Sequence, residues 1–286
     1  MTDITVLRVA VLVACYNRVN VTLRALAGLF AAAASLPELV IDVFLVDDNS
    51  ADQTGKIVAA AFPSVRVFFG TGSLFWNRGM CVAYSRAMLV GGFDAYLLLN
   101  DDVQLIPDQF TDLVETFCKR NREKPTAVTG AMCSVATGET TYSGFRMPSR
   151  LRPLTLTMIQ PSHEIQRCDT FNGNCVLVPA NVMDRLGGLD TRYRHAFGDI
   201  DLGLMLRAAG CEILLLSGYI GRCERDHARA SPPRELRLRF KKLTSPPFPV
   251  WDYIHYVLKH SHWPWSWLLS IRHIVLRITE ALFPTT

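Results

Sequence analysis

The chain has 286 residues, 49% of them hydrophobic and 20% charged, enough apolar material for one sizeable domain or one domain plus an appendage. A net charge of +4 is not the balance of a nucleic-acid binder, and eight scattered cysteines without a C-x-x-C pair read as reduced, partly buried thiols, not as a disulfide framework or zinc site. No run reaches the roughly 18 to 20 unbroken apolar residues of a membrane helix, and the start lacks the pattern of a signal peptide, so the expected location is cytoplasmic.

Residues 9–15 (V-A-V-L-V-A-C) form a continuous apolar run, the pattern of a strand buried on both faces. Residues 21–34 read as a helix, with Leu23, Leu26, Leu29 and Phe30 at helical spacing. A second buried strand is predicted over 40–46, a short helix over 52–61, and a third strand over 65–69 after Pro63. A helix over 77–90, a strand over 95–99 and a helix from Pro107 to Lys119 follow. Strands alternating with helices at this spacing imply parallel pairing with both faces covered. Beyond Pro125 the pattern loosens: strands are predicted over 126–132, 175–178 and 212–216, a helix over 202–209, and loops over 137–162.

In an open α/β sheet, ligands bind beyond the carboxyl ends of the strands. Here those ends carry Tyr16-Asn17-Arg18, Asp47-Asp48-Asn49-Ser50, Gly70-Thr71-Gly72-Ser73 and Asn100-Asp101-Asp102. Asp47 to Ser50 also suits plain turn and cap chemistry. The adjacent carboxylates Asp101 and Asp102 repel each other, and a divalent cation such as Mg²⁺ or Mn²⁺ bridging phosphates would relieve that repulsion. Gly70-Thr71-Gly72 follows the third strand, not the first, so it is no dinucleotide fingerprint. Downstream of it, Arg78 offers a charge for a diphosphate, while Trp76 suits either stacking on a sugar or base or core packing. Farther on, Asp199 and Asp201 stand two apart before a helix, where one acid is readily a cap and the other a general base.

These segments, in this order, resemble a family 2 glycosyltransferase of the GT-A fold, over roughly residues 9–226. V-A-V-L-V-A-C-Y-N-R resembles the opening strand, F-L-V-D-D-N-S the nucleotide-binding turn, and L-L-L-N-D-D-V the D-x-D metal motif. G-T-G-S-L-F-W-N-R-G-M resembles a version common in bacterial rhamnosyltransferase-like members. T-F-N-G-N-C-V-L-V-P and G-G-L-D-x-R-Y resemble the acceptor-side segments, and F-G-D-I-D-L-G-L-x-L-R-A-A-G the catalytic-base helix.

The resemblance implies an α/β Rossmann-like mixed sheet with helices on both faces, plus a C-terminal helical appendage over 227–286. It implies Asp48 on a pyrimidine base with Tyr16 near it, Asp101 at the ribose, Asp102 on the metal, Arg78 on the diphosphate or donor sugar, and Trp76 on the donor side. Asp199 would be the base, with Asn172 and Asp201 on the acceptor. His227, in C-E-R-D-H, reads as a further metal ligand or as an ordinary structural histidine. The chain departs from the family pattern at Asn100, which replaces the first Asp of D-x-D, at Gly198, where many members have Glu, and at Ala14, where some have a hydroxyl.

From Arg222 onward there are eleven Lys or Arg against five Asp or Glu, and Trp251, Trp263, Trp265 and Trp267 lie in the same stretch. Tryptophan with cations suits a bilayer interface, peripheral on the inner face of the cytoplasmic membrane; a helical cap on the catalytic domain fits equally, and the two are not exclusive. The expected function is transfer of a sugar, with inversion, from a nucleotide donor (dTDP-rhamnose, then UDP-sugars) to a lipid-linked cell-surface polysaccharide. The rivals are a sugar-nucleotide nucleotidyltransferase, which would release pyrophosphate, and a non-catalytic scaffold of glycan assembly.

Overall fold

The computed structural model describes residues 6–148, 155–224, 250–261 and 264–282. The first half runs β1 (Leu7–Cys15), α1 (Val19–Ala34), β2 (Leu39–Asp47), α2 (Thr54–Ala61), β3 (Arg66–Phe69), α3 (Phe75–Val90), β4 (Ala95–Leu99), the two-residue β5 (Gln104–Leu105) and α4 (Pro107–Asn121). The second half contains β6 (Thr126–Cys133), the short strands β7 (Thr140–Tyr142), β8 (Gly144–Arg146), β9 (Thr157–Met158), β10 (Gln166–Arg167) and β11 (Thr170–Phe171), then β12 (Cys175–Pro179), α5 (Ala180–Leu186), α6 (Gly198–Ala208) and β13 (Glu212–Arg222). Two C-terminal helices follow, α7 (Val250–His260) and α8 (Trp265–Leu282).

The main sheet has the order β10-β13-β6-β12-β4-β1-β2-β3, with β5 on β13 and β7 on β6; β11, β8 and β9 form a small second sheet. The parallel expectation holds for β3, β2, β1 and β4. β12 runs antiparallel to both neighbours, with Val176 opposite Leu98 on one side and Thr129 on the other, as the mixed sheet implied by the resemblance requires. The sheet is therefore mixed. A strand covered on both faces reads as one apolar run whichever way it points, so C-V-L-V-P carries no direction. The strands within 137–162 are two or three residues long, too short to show a period.

Alternation along each strand splits the core in two. Val9, Val11 and Val13 pack with Leu26 and Leu29 of α1 and with Phe110, Leu113 and Phe117 of α4. Ala10 and Leu12 face the other way, toward Met80, Ala83 and Ala87 of α3 and toward Leu202 and Leu206 of α6. Helices thus cover both faces, and each wholly buried leucine contributes about 1.5–3 kcal/mol relative to exposure. A third, smaller core joins Tyr193 and Leu204 to Tyr256 and Val257, with Phe197, Tyr253 and Leu269 packed against it. Through it α7 and α8 pack on α6. All eight cysteines are free, as expected.

Candidate active site

Parallel pairing brings the ends of β1, β2, β3 and β4 to one rim, where loops knit the polar residues together. The Asn17 amide N–H donates to Ser50 Oγ (2.9 Å), and Asn17 Oδ1 accepts from the Ala51 N–H (2.7 Å). Asp47 accepts from the Ser50 and Gly55 N–H groups, at 2.9 and 2.8 Å. Asp48 accepts three amide N–H groups, from Gly72 (2.7 Å), Leu74 (2.8 Å) and Phe75 (3.0 Å). Both are buried, so their first task is to fix the loops that lead into α2 and α3. Tyr16 stands exposed beside them.

The carboxylate pair after β4 is where the charge concentrates. Arg18 sets its guanidinium Nη1 2.9 Å from Asp102 Oδ2 and 3.4 Å from Asp101 Oδ1. Asp101 is buried and also accepts from Thr22 Oγ1 at 3.2 Å. Burial pushes its carboxyl up to about 7 against the pull of Arg18, and the Asp102 charge adds to the rise. Asp102 is more open, and the Cys223 thiol donates to its Oδ1 at 3.2 Å. Burial pushes that thiol upward, with Asp102 adding to it, so it stays a neutral donor.

Across the rim stands Asp199, in the first turn of α6. The Gly173 N–H donates to its Oδ2 (2.9 Å) and the Ile200 N–H to its Oδ1 (2.8 Å), with the Asn172 side chain a further partner. Loss of water around the carboxyl raises its pKa, and these hydrogen bonds pull against that rise. The group is therefore oriented and more basic than an ordinary aspartate.

Trp76 links the two sides. Its indole N–H donates to Asn100 Oδ1 at 2.7 Å, and its ring passes where a Cβ on residue 173 would stand, with Cη2 only 2.7 Å from that point. Residue 173 must then be glycine, and Gly173 is the residue that donates to Asp199. At Asn100, where the family pattern has Asp, the side-chain oxygen accepts the indole N–H, a bond that an aspartate could make as well. Gly198 is set by packing too. Asn77 Oδ1 lies 1.8 Å from where a Cβ at 198 would be, and Asn77 is pinned by donating to the Asp190 and Tyr193 carbonyls, each at 2.9 Å. No side chain fits at 198 while Asn77 keeps that place.

Two bulky residues with positive φ stand where the flanking helices begin, Phe75 (φ 58°) as the first residue of α3 and Phe197 (φ 68°) just before α6. Such a backbone costs on the order of 1–3 kcal/mol and persists where its surroundings hold it. Asp48 holds Phe75 through the N–H, and the Tyr256 ring stacks on Phe197 at 5.0 Å.

Asp201 and Arg78 are placed differently from the sequence expectation. Asp201 is wholly buried, bonded to Lys259 Nζ (2.8 Å), His260 Nε2 (2.6 Å) and Tyr193 Oη (3.2 Å). It fastens α6 to α7 and has no surface for an acceptor. Asp190 repeats the pattern: burial pushes its carboxyl up, but Arg192, His255 and Lys259 outweigh that and hold it well below the usual range. Arg78 Nε donates to Thr191 O (3.1 Å), so in this structure Arg18 is the guanidinium at the carboxylate pair. His227 lies outside the described residues.

The fold and this rim can be set beside known proteins. The family model for glycosyltransferase-like family 2 matches residues 7–244. The chain belongs to that family. A curated relative is the N-acetylglucosaminyl-diphospho-decaprenol L-rhamnosyltransferase of Mycobacterium tuberculosis, 26% identical, with 84% of this chain and 83% of the relative covered. Among solved structures, TarS 1–349 of S. aureus matches with a TM-score of 0.55 at 15% identity, over 98% of this chain and 76% of that one. The mannosyltransferase PcManGT of Pyrobaculum calidifontis, solved with GDP-Man and Mn2+, matches with a TM-score of 0.51 at 15% identity, over 96% and 73%. The mixed sheet is thus the GT-A fold, and the protein is a glycosyltransferase. No helix among the described residues is long and apolar enough to cross a membrane.

The metal question turns on Asp101 and Asp102. Among the described residues no three His, Cys, Asp or Glu side chains gather as a metal cage. The pair does already accommodate a cation, the Arg18 guanidinium, and it offers hard carboxylate oxygens of the kind that Mn²⁺ and Mg²⁺ prefer. These residues fit a divalent ion whose remaining ligands come from a diphosphate.

Proposed function

We propose that this glycosyltransferase moves a sugar, with inversion, from a nucleoside-diphosphate donor to a lipid-linked glycan acceptor of cell-surface polysaccharide assembly. The observation that carries the reading is the pairing of rims: a basic, oriented Asp199 on one side, the Asp101–Asp102 pair on the other, and Trp76 between them. The donor would lie over the ends of β1, β2 and β4, with its base near Tyr16 and Asp48, its ribose near Asp101 and its sugar beside Trp76. Asp102 would hold Mn²⁺ or Mg²⁺ through the donor's diphosphate, and a bound divalent ion stabilises charge on a departing phosphate. Arg18, and Arg78 after a change of partner, would supply guanidinium groups to that charge.

The chain's own residues then do the following. Asn172 and the Gly173 and Ile200 N–H groups hold the Asp199 carboxylate in one orientation. Asp199 takes the proton of an acceptor hydroxyl, whose oxygen bonds to the anomeric carbon from the face opposite the diphosphate. The bond from that carbon to the diphosphate oxygen breaks, and the nucleoside diphosphate leaves with the electron pair. An oxocarbenium-like transition state is expected, as in glycoside hydrolysis. Rhamnose from dTDP-rhamnose is the first donor to test, because the curated relative is named as a rhamnosyltransferase on a decaprenol-linked acceptor. UDP-sugars come second.

The test is product analysis with a panel of nucleotide sugars and a polyprenyl-diphosphate-linked acceptor, with Mn²⁺ and with EDTA. The reading predicts free nucleoside diphosphate and an inverted linkage, lost in EDTA and in Asp102→Ala. Near-native transfer by Asp102→Ala in EDTA would remove the metal from the account. No transfer from any donor would favour the scaffold reading.

A further inference from the structure

The last helix is hydrophobic on its outer side. Along α8, Ser266 and Ser270 are buried, each 4% exposed. Trp265, Trp267, Leu268, Ile271, Val275 and Leu276 face outward, 46 to 56% exposed. A helix on the surface of a water-soluble domain does the reverse, turning its apolar stripe inward. The inversion is held in place by the inner side of α8. His273 stacks on Tyr253 of α7 with ring centroids 3.6 Å apart, and Leu269 packs into the small core shared with α6. Trp251, at the start of α7, is exposed as well, at 66%.

Charge selects among the possible coverings of this face. Arg272 is exposed within the apolar stripe, and the acid among the described side chains of α7 and α8, Asp252, is buried under the Arg194 and His195 N–H groups. Among the described side chains of this face, a second copy of the chain would offer Arg272 no acid to pair with. An anionic lipid surface offers phosphates to Arg272 and a headgroup layer to the tryptophans. The 18 residues of α8 extend about 27 Å, and α8 is not apolar all round, which suits a helix lying in the interface plane.

We propose that the outer face of α8, with Trp251 beside it, docks on an anionic lipid bilayer with the helix parallel to the membrane plane. Because α7 fastens to Asp201, two residues from Asp199, docking would hold the acceptor rim at a fixed attitude to the lipid. That benefit rests on the lipid-linked acceptor proposed above; the docking itself does not.

The experiment uses the full chain and vesicles of phosphatidylcholine, with and without phosphatidylglycerol, in a flotation assay. The wild type is expected to float with the phosphatidylglycerol vesicles and to be released by salt. The triple variant Trp267→Ser, Ile271→Ser, Val275→Ser should bind on the order of tenfold more weakly or worse, from its lost apolar burial. Arg272→Glu should lose binding to the anionic vesicles. Should the triple variant fail to fold, quenching of wild-type tryptophan fluorescence by brominated lipid answers the same question. No flotation and no quenching, or equal flotation of the triple variant, overturns the proposal. So does a lipid-free dimer of the wild type that the triple variant abolishes, since a second copy would then cover the face. None of these readouts depends on sugar transfer.

Discussion

The carboxylates of the donor rim are held mainly from the first half of the chain: Asp47 and Asp48 by loop N–H groups, Asp101 and Asp102 by Arg18, just before α1, and by Thr22 within it, with the Cys223 thiol reaching Asp102 from the end of β13. The acceptor rim is braced by a separate C-terminal helix, because Lys259 and His260 of α7 bond to Asp201 and Lys259 also to Asp190. The first arrangement is complete within the main sheet and its loops. The second is complete only when α7 docks, so the base helix depends on the C-terminal segment and the nucleotide side does not.

Breaking that dependence should have the largest effect on the fold. Lys259→Met leaves Asp201 buried with one cation fewer, and removing one partner of a buried pair costs about 3–5 kcal/mol. Denaturant unfolding should show that loss, with nucleotide affinity of the surviving native protein nearly unchanged. A loss within about 0.5 kcal/mol, the range of ordinary surface changes, would mean that α7 does not brace the acceptor rim. Gly198→Ala probes the same side more gently. The added methyl meets the Asn77 amide, and overpacking of this kind costs about 1–3 kcal/mol. Adding Asn77→Ala should recover part of both stability and turnover; no recovery would show that the glycine answers to something else.

The donor side is sharpened by Arg18→Gln, the smallest effect of the three. If the guanidinium holds the place of a metal ion, the variant should bind Mn²⁺ several-fold more tightly without nucleotide, read by electron paramagnetic resonance of free Mn²⁺. Weaker binding would instead make Arg18 a brace that keeps the two carboxylates ready.

The same contrast explains what was legible in the sequence. β4 has the predicted bounds, and β1, β2 and β3 lie within two residues of theirs, because continuous apolar runs ending in polar clusters are local signals, whereas the two-residue β5 has none. The Asp101–Asp102 pair was visible for that reason, and Arg18 stood in a noted cluster without its role being read. α6 begins at Gly198, ahead of the predicted 202, since Asp199 and Asp201 belong to its first turn, where acids favour the helix dipole. For Trp76 the structure shows packing against the core and an indole bond to Asn100. The burial of Asp201 had no signal, because Lys259 and His260 lie in a different segment and only the folded chain brings them near. The same is true of Asn77 and Gly198, a glycine whose reason is a side chain 121 positions earlier.

The central claim is that Asp199 is the base, and the most direct measurement is the pH profile of kcat/KM for wild type and Asp199→Asn, with melting and donor affinity as controls. A base must be unprotonated to act. Since the Asp199 pKa is raised, wild-type activity should fall on acidification through a limb above the ordinary aspartate value of about 3.9. Asp199→Asn should lack that limb and turn over about 10²- to 10⁴-fold more slowly, with donor affinity almost unchanged. Transfer at the wild-type rate, or an acidic limb that survives the substitution, would contradict the account and place the base elsewhere.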